Sequence, residues 1–533
     1  MSRDKFLQGA FTLTLAGIVV KIIGSVNRIL LSRLLGGEGI GLYQMAYPIY
    51  LLALSISSAG IPVAISIIVA EKVALNDFRG ANRVFRISLT LLSITGLLFT
   101  FILYFAAGWL VEEHFVRDPR AYYAIAALAP AIFFVTILSS YRGYFQGLQM
   151  MTPTAVSQIF EQLVRVLMMV FLAFYLLPVG LEYAAAGASF GAGPGAFAGL
   201  SVLLYCYWRH RAVLKEKIAA QAVQKQESGS RIIMRIISLA LPISLANIML
   251  PIVSSIDLLV VPARLEAAGY TVNQATELFG YLTGMAVALV NVPTILTGSL
   301  SASLVPAISE AFTLKDHRGI YRRVAMAMRF ANLITIPSFV GMCLLATPIS
   351  QMLYDTPNAG MPIAILSGGV IMLGIHQVTT GVLQGLGHTA IPLANMMISA
   401  VVKMIMSWTL TAIPSLGIKG AAWATNVDFA MAALFNMYFV RRYIGFCIDR
   451  KETIITIAAS VIMGGAVLVT YDVVMLNTFH NTIATLISVG VGAIVYGIAL
   501  LLLGGIQQHD IEKLPKAGNK FTFFLRKIGI LRK

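Results

Sequence analysis

Charge is scarce in this chain. Only 12% of its 533 residues are Asp, Glu, Lys or Arg, against roughly 25% in a soluble domain, while 58% are hydrophobic and the mean hydropathy is +0.83. That balance excludes a soluble globule and predicts an all-α polytopic membrane protein. Acid is the scarcer sign: 23 Asp and Glu stand against 39 Lys and Arg, a net charge of +16. Cysteine is scarce too. Cys206, Cys343 and Cys447 lie in or beside apolar segments without pairing or metal spacing, which leaves them as small hydrophobes. A phosphate-binding Gly-Lys loop, a metal-ligand cluster and a nucleophile elbow are all lacking, so ATP-driven pumping is not encoded here and no soluble catalytic domain fits.

Long apolar runs are plentiful. Fourteen spans of ~20 residues are expected at 11–35, 43–69, 86–111, 122–146, 154–177, 184–208, 236–261, 278–308, 324–347, 361–386, 391–413, 418–440, 454–476 and 480–506. The N-terminal run imitates a signal peptide. It is too long, contains Lys21 and lacks a small-residue cleavage site, so it reads as a retained first span. Pro48 and Pro62 in the second span and Pro293 and Pro306 in the eighth predict kinks, and the small residues from Gly187 to Gly199 predict tight packing. Nearly all loop cations fall on one side: Arg3 and Lys5, Lys72 to Arg86, Arg209 to Arg235, Lys315 to Arg329, Arg441 to Lys451, and seven beyond the last span. The other side has only Arg117, Arg120, Arg264 and Lys419. The positive-inside rule then puts both termini in the cytoplasm, and the basic charge sets topology and meets anionic lipid without any need for nucleic acid.

The chain repeats itself. Asp77-Phe78-Arg79-Gly80-Ala81-Asn82-Arg83 returns as Asp316-His317-Arg318-Gly319-Ile320-Tyr321-Arg322, Gln146-Gly147-Leu148 as Gln384-Gly385-Leu386, and Arg165 matches Lys403, at offsets of 239, 238 and 238. Pro62-Val63-Ala64-Ile65-Ser66 resembles Pro306-Ala307-Ile308-Ser309 at a slightly larger offset. These predict a parallel repeat of six-helix lobes at 1–208 and 236–440, joined by a basic linker at 209–235 and followed by two extra helices at 441–506. The tail at 507–533 mixes aromatic and basic residues; it is either an amphipathic helix on the inner leaflet or a solvated tail.

Charge at membrane depth marks the candidate site, because it costs at least ~2.5–3.5 kcal/mol unless it faces the protein interior or water. Lys21, Ser25, Arg28 and Ser32 share one face of the first span, and Arg33 stands roughly 120° away. The helix reads as one wall of a wet, cationic cavity; the alternative is that Arg28 and Arg33 snorkel and only Lys21 is deep. Glu161 and Arg165 are spaced to pair on the fifth span. Asp257 sits among Ser254, Ser255 and Leu258, and Lys403 and Asp428 lie in the second half. All of these are candidate cavity residues. Glu310, Arg79 and Arg318 read as gating or structural.

Arg33-Leu34-Leu35-Gly36 with Gly41-Leu42-Tyr43 resembles the first-helix signature of polysaccharide-export flippases. These belong to the multidrug/oligosaccharidyl-lipid/polysaccharide exporter superfamily. The Gln-Gly-Leu elements and Pro306-Ala307-Ile308-Ser309-Glu310 resemble its stage V sporulation protein B branch, with the lipid II flippases as cousins. The resemblance implies a V-shaped pair of lobes alternating access to a central cavity in a bacterial cytoplasmic membrane. It implies an undecaprenyl-pyrophosphate-linked saccharide as substrate, with Lys21 and Arg28 in places comparable to the cavity cations. It also implies that the two extra helices form a groove for the isoprenoid tail. No cofactor is expected, the driving force stays open among membrane potential, H⁺ and Na⁺, and a monomer is favoured. The same superfamily contains multidrug antiporters, which need N-lobe carboxylates; only Glu161 offers one deep in this lobe. A polymerase or ligase would need paired acids on a large outer loop, and Glu112 and Glu113 sit on a short one. A purely structural scaffold has no use for intramembrane charge.

Overall fold

A computed structural model describes residues 3–58, 60–219, 221 and 227–505. The tail at 507–533, for which an amphipathic helix was one expectation, lies outside the described residues. The described elements are helices, and the protein is a multi-pass membrane protein. Large apolar side chains such as Phe105, Trp208 and Leu476 are each 72% exposed, which suits a lipid environment.

The first compact unit ends at Gly284. It holds α1 (Arg3–Ser58), α2 (Ile61–Ala74), α3 (Phe78–Glu112), α4 (Ala121–Gly147), α5 (Met151–Leu176), α6 (Leu181–Phe190), α7 (Ala192–Ala219), α8 (Gly229–Ala267) and α9 (Val272–Phe279). A π-helical stretch, Gly280–Ala286, follows. The second unit, from Met285, holds α10 (Val287–Thr313), α11 (His317–Leu344), α12 (Ala346–Tyr354), α13 (Gly360–Ser367), α14 (Gly369–Gly385), α15 (Ala390–Leu410), α16 (Ile418–Ile444), α17 (Arg450–Thr478) and α18 (Asn481–Leu502).

Among the described residues, eleven helices, or twelve if the bent pair α13 and α14 is one span, are long and apolar enough to cross a membrane, against the fourteen expected. The physical reasons are local. Helix runs through the expected gap between the first two spans, from Arg3 to Ser58, with a break at Gly36 (φ 65°, ψ −172°). The second expected span is itself interrupted after Ser58, where Gly60 turns left-handed (φ 78°) and Pro62 opens α2 instead of kinking a longer helix. On α16, Asn426, Asp428 and Asn436 dilute the apolar run. The expected linker is also shorter than 209–235, since α7 runs on to Ala219 and α8 begins at Gly229.

The lobe boundary expected at 236 differs from the observed division. α8 and α9 pack with the first unit because polar contacts hold both ends there. Arg235 pairs with Glu71, and Lys72 reaches both Asp77 and Glu227 (3.6 and 3.4 Å). At the other end Thr276 Oγ1 donates to the buried Asp118 carboxylate (2.8 Å), and Arg120 donates to Asn273 (3.1 Å) and pairs with Glu38 (2.7 Å). The hydrogen bonds that Arg120 donates to Asp118, joined by one to Glu38, raise the Arg120 pKa above its ordinary value.

Each unit contains the same local devices. Asp77 caps α3 by accepting from the Gly80 N–H (2.7 Å), and Asp316 caps α11 from Gly319 (2.9 Å), each after a left-handed residue, Asn76 or Lys315. Gly147 at the end of α4 lies against Val69 and the Ser66 carbonyl of α2; Gly385 at the end of α14 lies against Ile308 and the Val305 carbonyl of α10. These contacts fix the register between α2 and α10 at an offset of 239. The Pro62 and Pro306 motifs are therefore five residues out of register: Pro62 corresponds to Ser301, which meets Gly381 as Pro62 meets Gly143. The cores agree as well, with Val84, Phe85, Tyr144 and Phe145 in one unit and Val324, Val382 and Leu383 in the other.

Candidate functional site

The strongest concentration of intramembrane charge is in the first unit, on α1, α4 and α5. Glu161 on α5 receives two guanidiniums, one on each carboxylate oxygen. Arg165 Nη2 donates to Oε1 at 2.6 Å and Arg142 Nη2 of α4 donates to Oε2 at 2.8 Å. Arg142 also grips Ser157 Oγ through Nε and Nη2 (3.1 and 3.0 Å). The three charged side chains are 14–19% exposed and carry one net positive charge. Arg165 Nε is buried without a hydrogen-bond acceptor among the described residues.

Packing explains why the cluster can sit there. On α7, Gly195 meets the Arg165 Cβ and the Glu161 carbonyl, and Gly199 meets the Glu161 Cβ and the Ser157 carbonyl. A methyl at Gly195 would lie 2.6 Å from the Arg165 Cβ. The small-residue character expected for the sixth span is thus what lets α7 press on α5. The second arm of α1 lays a run of rings beside the charges: Tyr43 and Tyr47 stack with centroids 5.6 Å apart, and Tyr47 and Tyr50 lie 6.0 Å apart. Tyr43 and Tyr50 are within electrostatic reach of Arg165, Tyr50 also of Glu161, and Tyr43 also of Arg28.

The sequence candidates distribute unevenly. Arg28 and Lys21 are exposed on α1, whereas Ser32 on the same stripe is buried, so the polar face turns inward toward the Gly36 break. Arg33 is exposed just before that break. Asp257 is half-buried on α8 and has an interaction of its own. Glu310 is exposed, 3.9 Å from Arg323. The Arg79 backbone N–H donates to Gln221 at 3.0 Å, and Arg318 is exposed. Arg142 was missed by sequence reasoning. The signal was present: it is a charge inside the fourth apolar span, one turn before Gln146-Gly147-Leu148.

Lys403 and Asp428 belong to a separate cluster in the second unit. Lys403 is 3% and Asp428 6% exposed, and Ser399 Oγ donates to Asp428 at 2.6 Å. Nearby, Asn436 of α16 accepts from Asn395 (2.8 Å) and donates to Thr380 (2.9 Å), with the His376 ring nitrogen 3.2 Å away. Among the described residues no group of His, Cys, Asp or Glu has metal-binding geometry.

Residues 6–312 match the family described as polysaccharide biosynthesis protein. Over 520 residues the chain is 32% identical to stage V sporulation protein B of Bacillus subtilis, covering 97% of this chain and 99% of that protein. It is 29% identical to the lipid II flippase MurJ of Bacillus subtilis, covering 96% and 98%. Among solved structures it resembles a lipid II flippase MurJ in an inward closed conformation, with a TM-score of 0.68, 16% identity, and coverage of 97% and 99%; that likeness concerns the fold alone.

Proposed function

The chain belongs to the polysaccharide biosynthesis protein family, and from that premise we propose that it carries an undecaprenyl-pyrophosphate-linked saccharide across the bacterial cytoplasmic membrane. The substrate is lipid II or a related wall or spore-cortex precursor. The protein works as a monomeric transporter rather than an enzyme, with both termini in the cytoplasm and with the lobes alternating access.

The observation that supports this reading most is the positive group in the first unit, where two guanidiniums share one carboxylate and the tyrosine run, with Tyr43 in electrostatic reach of both Arg165 and the exposed Arg28, lies beside them. A diphosphate diester is dianionic, and losing its hydration is costly unless fixed donors replace water. Guanidiniums supply such donors in parallel pairs matched to phosphate oxygens. The sugars need only a polar surface. In this structure Glu161 is held between two guanidiniums and is not the bare carboxylate that a multidrug antiporter needs. The test is binding of lipid II to the purified protein, compared with undecaprenyl monophosphate. The account expects preference for the diphosphate and its loss on Arg28→Ala; equal affinity for both lipids would overturn it.

A further inference from the structure

We propose that Glu161 becomes a proton-binding site when the substrate binds: the diphosphate takes over Arg142 and Arg165, and the released carboxylate takes a proton from water. This rests on the diphosphate reading above. A side-on grip on a phosphate uses the parallel N–H groups of Nε and Nη2. On Arg165 the Nε–H is buried and has no acceptor among the described residues, while the Nη2–H is held by Glu161 Oε1. On Arg142 the Nη2–H is held by Glu161 Oε2. A side-on grip by a diphosphate on Arg165 therefore displaces Glu161 Oε1, and one that also uses Arg142 Nη2 displaces Oε2.

Glu161 has little room to turn out to water when displaced. Gly195 and Gly199 of α7 lie against its backbone and Cβ, and its side chain is 14% exposed. The groups facing it are Arg142 from α4, Arg165 from its own helix and Tyr50 from α1; Tyr43 of α1 is within electrostatic reach of Arg165 and Arg28, and Tyr47 lies between the two tyrosines. α7 contributes the two glycines, and α6 meets α5 near Leu172 and Leu176, three turns away. Once the guanidiniums hold the diphosphate, an ionised Glu161 would be a buried anion beside a dianion. Adding one proton from water to a carboxylate oxygen removes that conflict, and no other bond is made or broken.

The sign follows by linkage. Binding takes up a proton, so lipid II affinity falls as pH rises, by up to about tenfold per pH unit where one whole proton is taken up. The diphosphate diester itself does not titrate in that range. The experiment is calorimetric titration of the full chain in nanodiscs with lipid II, in two buffers of different ionisation enthalpy. An infrared difference spectrum of the carboxylic acid C=O region accompanies it. The expected result is proton uptake per lipid II bound, with a new acid band that shifts in Glu161→Asp and is absent in Glu161→Gln. Binding without uptake and without the band overturns the proton site while leaving the substrate reading intact, as does unchanged uptake in Glu161→Gln. Absence of binding to the wild type overturns both. If Glu161→Gln does not fold, the wild-type and Glu161→Asp spectra decide alone.

Discussion

The charged cluster of the first unit and the polar cluster of the second occupy equivalent places in the internal repeat and are built to opposite ends. Moving 238 residues along the chain converts Arg142 to Thr380, Ser157 to Asn395, Glu161 to Ser399 and Arg165 to Lys403. In the first unit the acid is on α5 and its neighbour on α7 is Gly199. In the second the acid is Asp428 on α16 and its neighbour on α15 is Ser399. The first cluster is partly exposed and carries net positive charge. The second is nearly sealed: Lys403 and Asp428 balance in charge, and Asn436 is fully buried with its amide bonded on both sides. A duplicated helical frame has thus kept a polar core at this level in both copies, while only one copy keeps unbalanced cations within reach of water. The second cluster fits a structural role, because a closed, satisfied network specifies packing and leaves little for a ligand.

The largest expected effect comes from removing the central acid of the first cluster. Glu161→Ala leaves two buried guanidiniums unpaired and should lower stability by about 3–5 kcal/mol, read as a drop in detergent unfolding temperature. The sharpening contrast is the paired replacement Lys403→Met with Asp428→Leu, which removes both charges together and should cost far less. A larger loss from the double variant would reverse the comparison.

Next comes Arg28→Ala, which removes a charge-assisted contact worth ~1.5–3 kcal/mol and should lower flipping in reconstituted vesicles with little change in stability. Arg28→Lys should keep part of the activity, since an ammonium cannot grip two oxygens side by side. Unimpaired flipping in Arg28→Ala would leave the snorkelling alternative standing. Gly195→Ala follows: the added methyl meets the Arg165 Cβ and the Glu161 carbonyl, and such overpacking costs about 1–3 kcal/mol. Here the check is lipid II binding together with unfolding temperature, both of which should fall. Smallest are the caps. Asp77→Ala and Asp316→Ala should each cost roughly 1 kcal/mol, read as shifts in unfolding, with Asp77→Ala the larger because it also loses Lys72; a negligible cost at either would show that the repeat is not carried at the level of these turns.

Much of the frame was legible in the sequence because it rests on local chemistry. The Asp-x-x-Gly repeat announces a cap whose glycine must lack a Cβ: one at Gly80 would sit 2.1 Å from the Asp77 carboxylate and one at Gly319 2.0 Å from that of Asp316. Gln-Gly-Leu marks a close crossing in each unit. Glu161 and Arg165 were readable from helical spacing alone. What sequence could not supply was tertiary. Arg142 completes the site from another helix, and apolar periodicity is silent about which span faces which. The attachment of α8 and α9 to the first unit depends on contacts such as Asp118 with Thr276, 158 residues apart in sequence. The proline motif at Pro62 and Pro306 misled because composition repeats there in a shifted register, whereas the glycine contacts set the true one. The continuity of helix from Leu15 onward was hidden because a glycine break looks like a loop in sequence.

The most direct test of the central claim, that cations of the first unit hold the diphosphate while their repeat counterparts do not, is lipid II binding to purified Arg165→Met beside Lys403→Met. In the first variant Glu161 still has Arg142 as a partner, so the fold is retained. The account predicts that Arg165→Met loses most of its affinity and Lys403→Met binds as the wild type does. Wild-type affinity in Arg165→Met, or an equal loss in both, would contradict it.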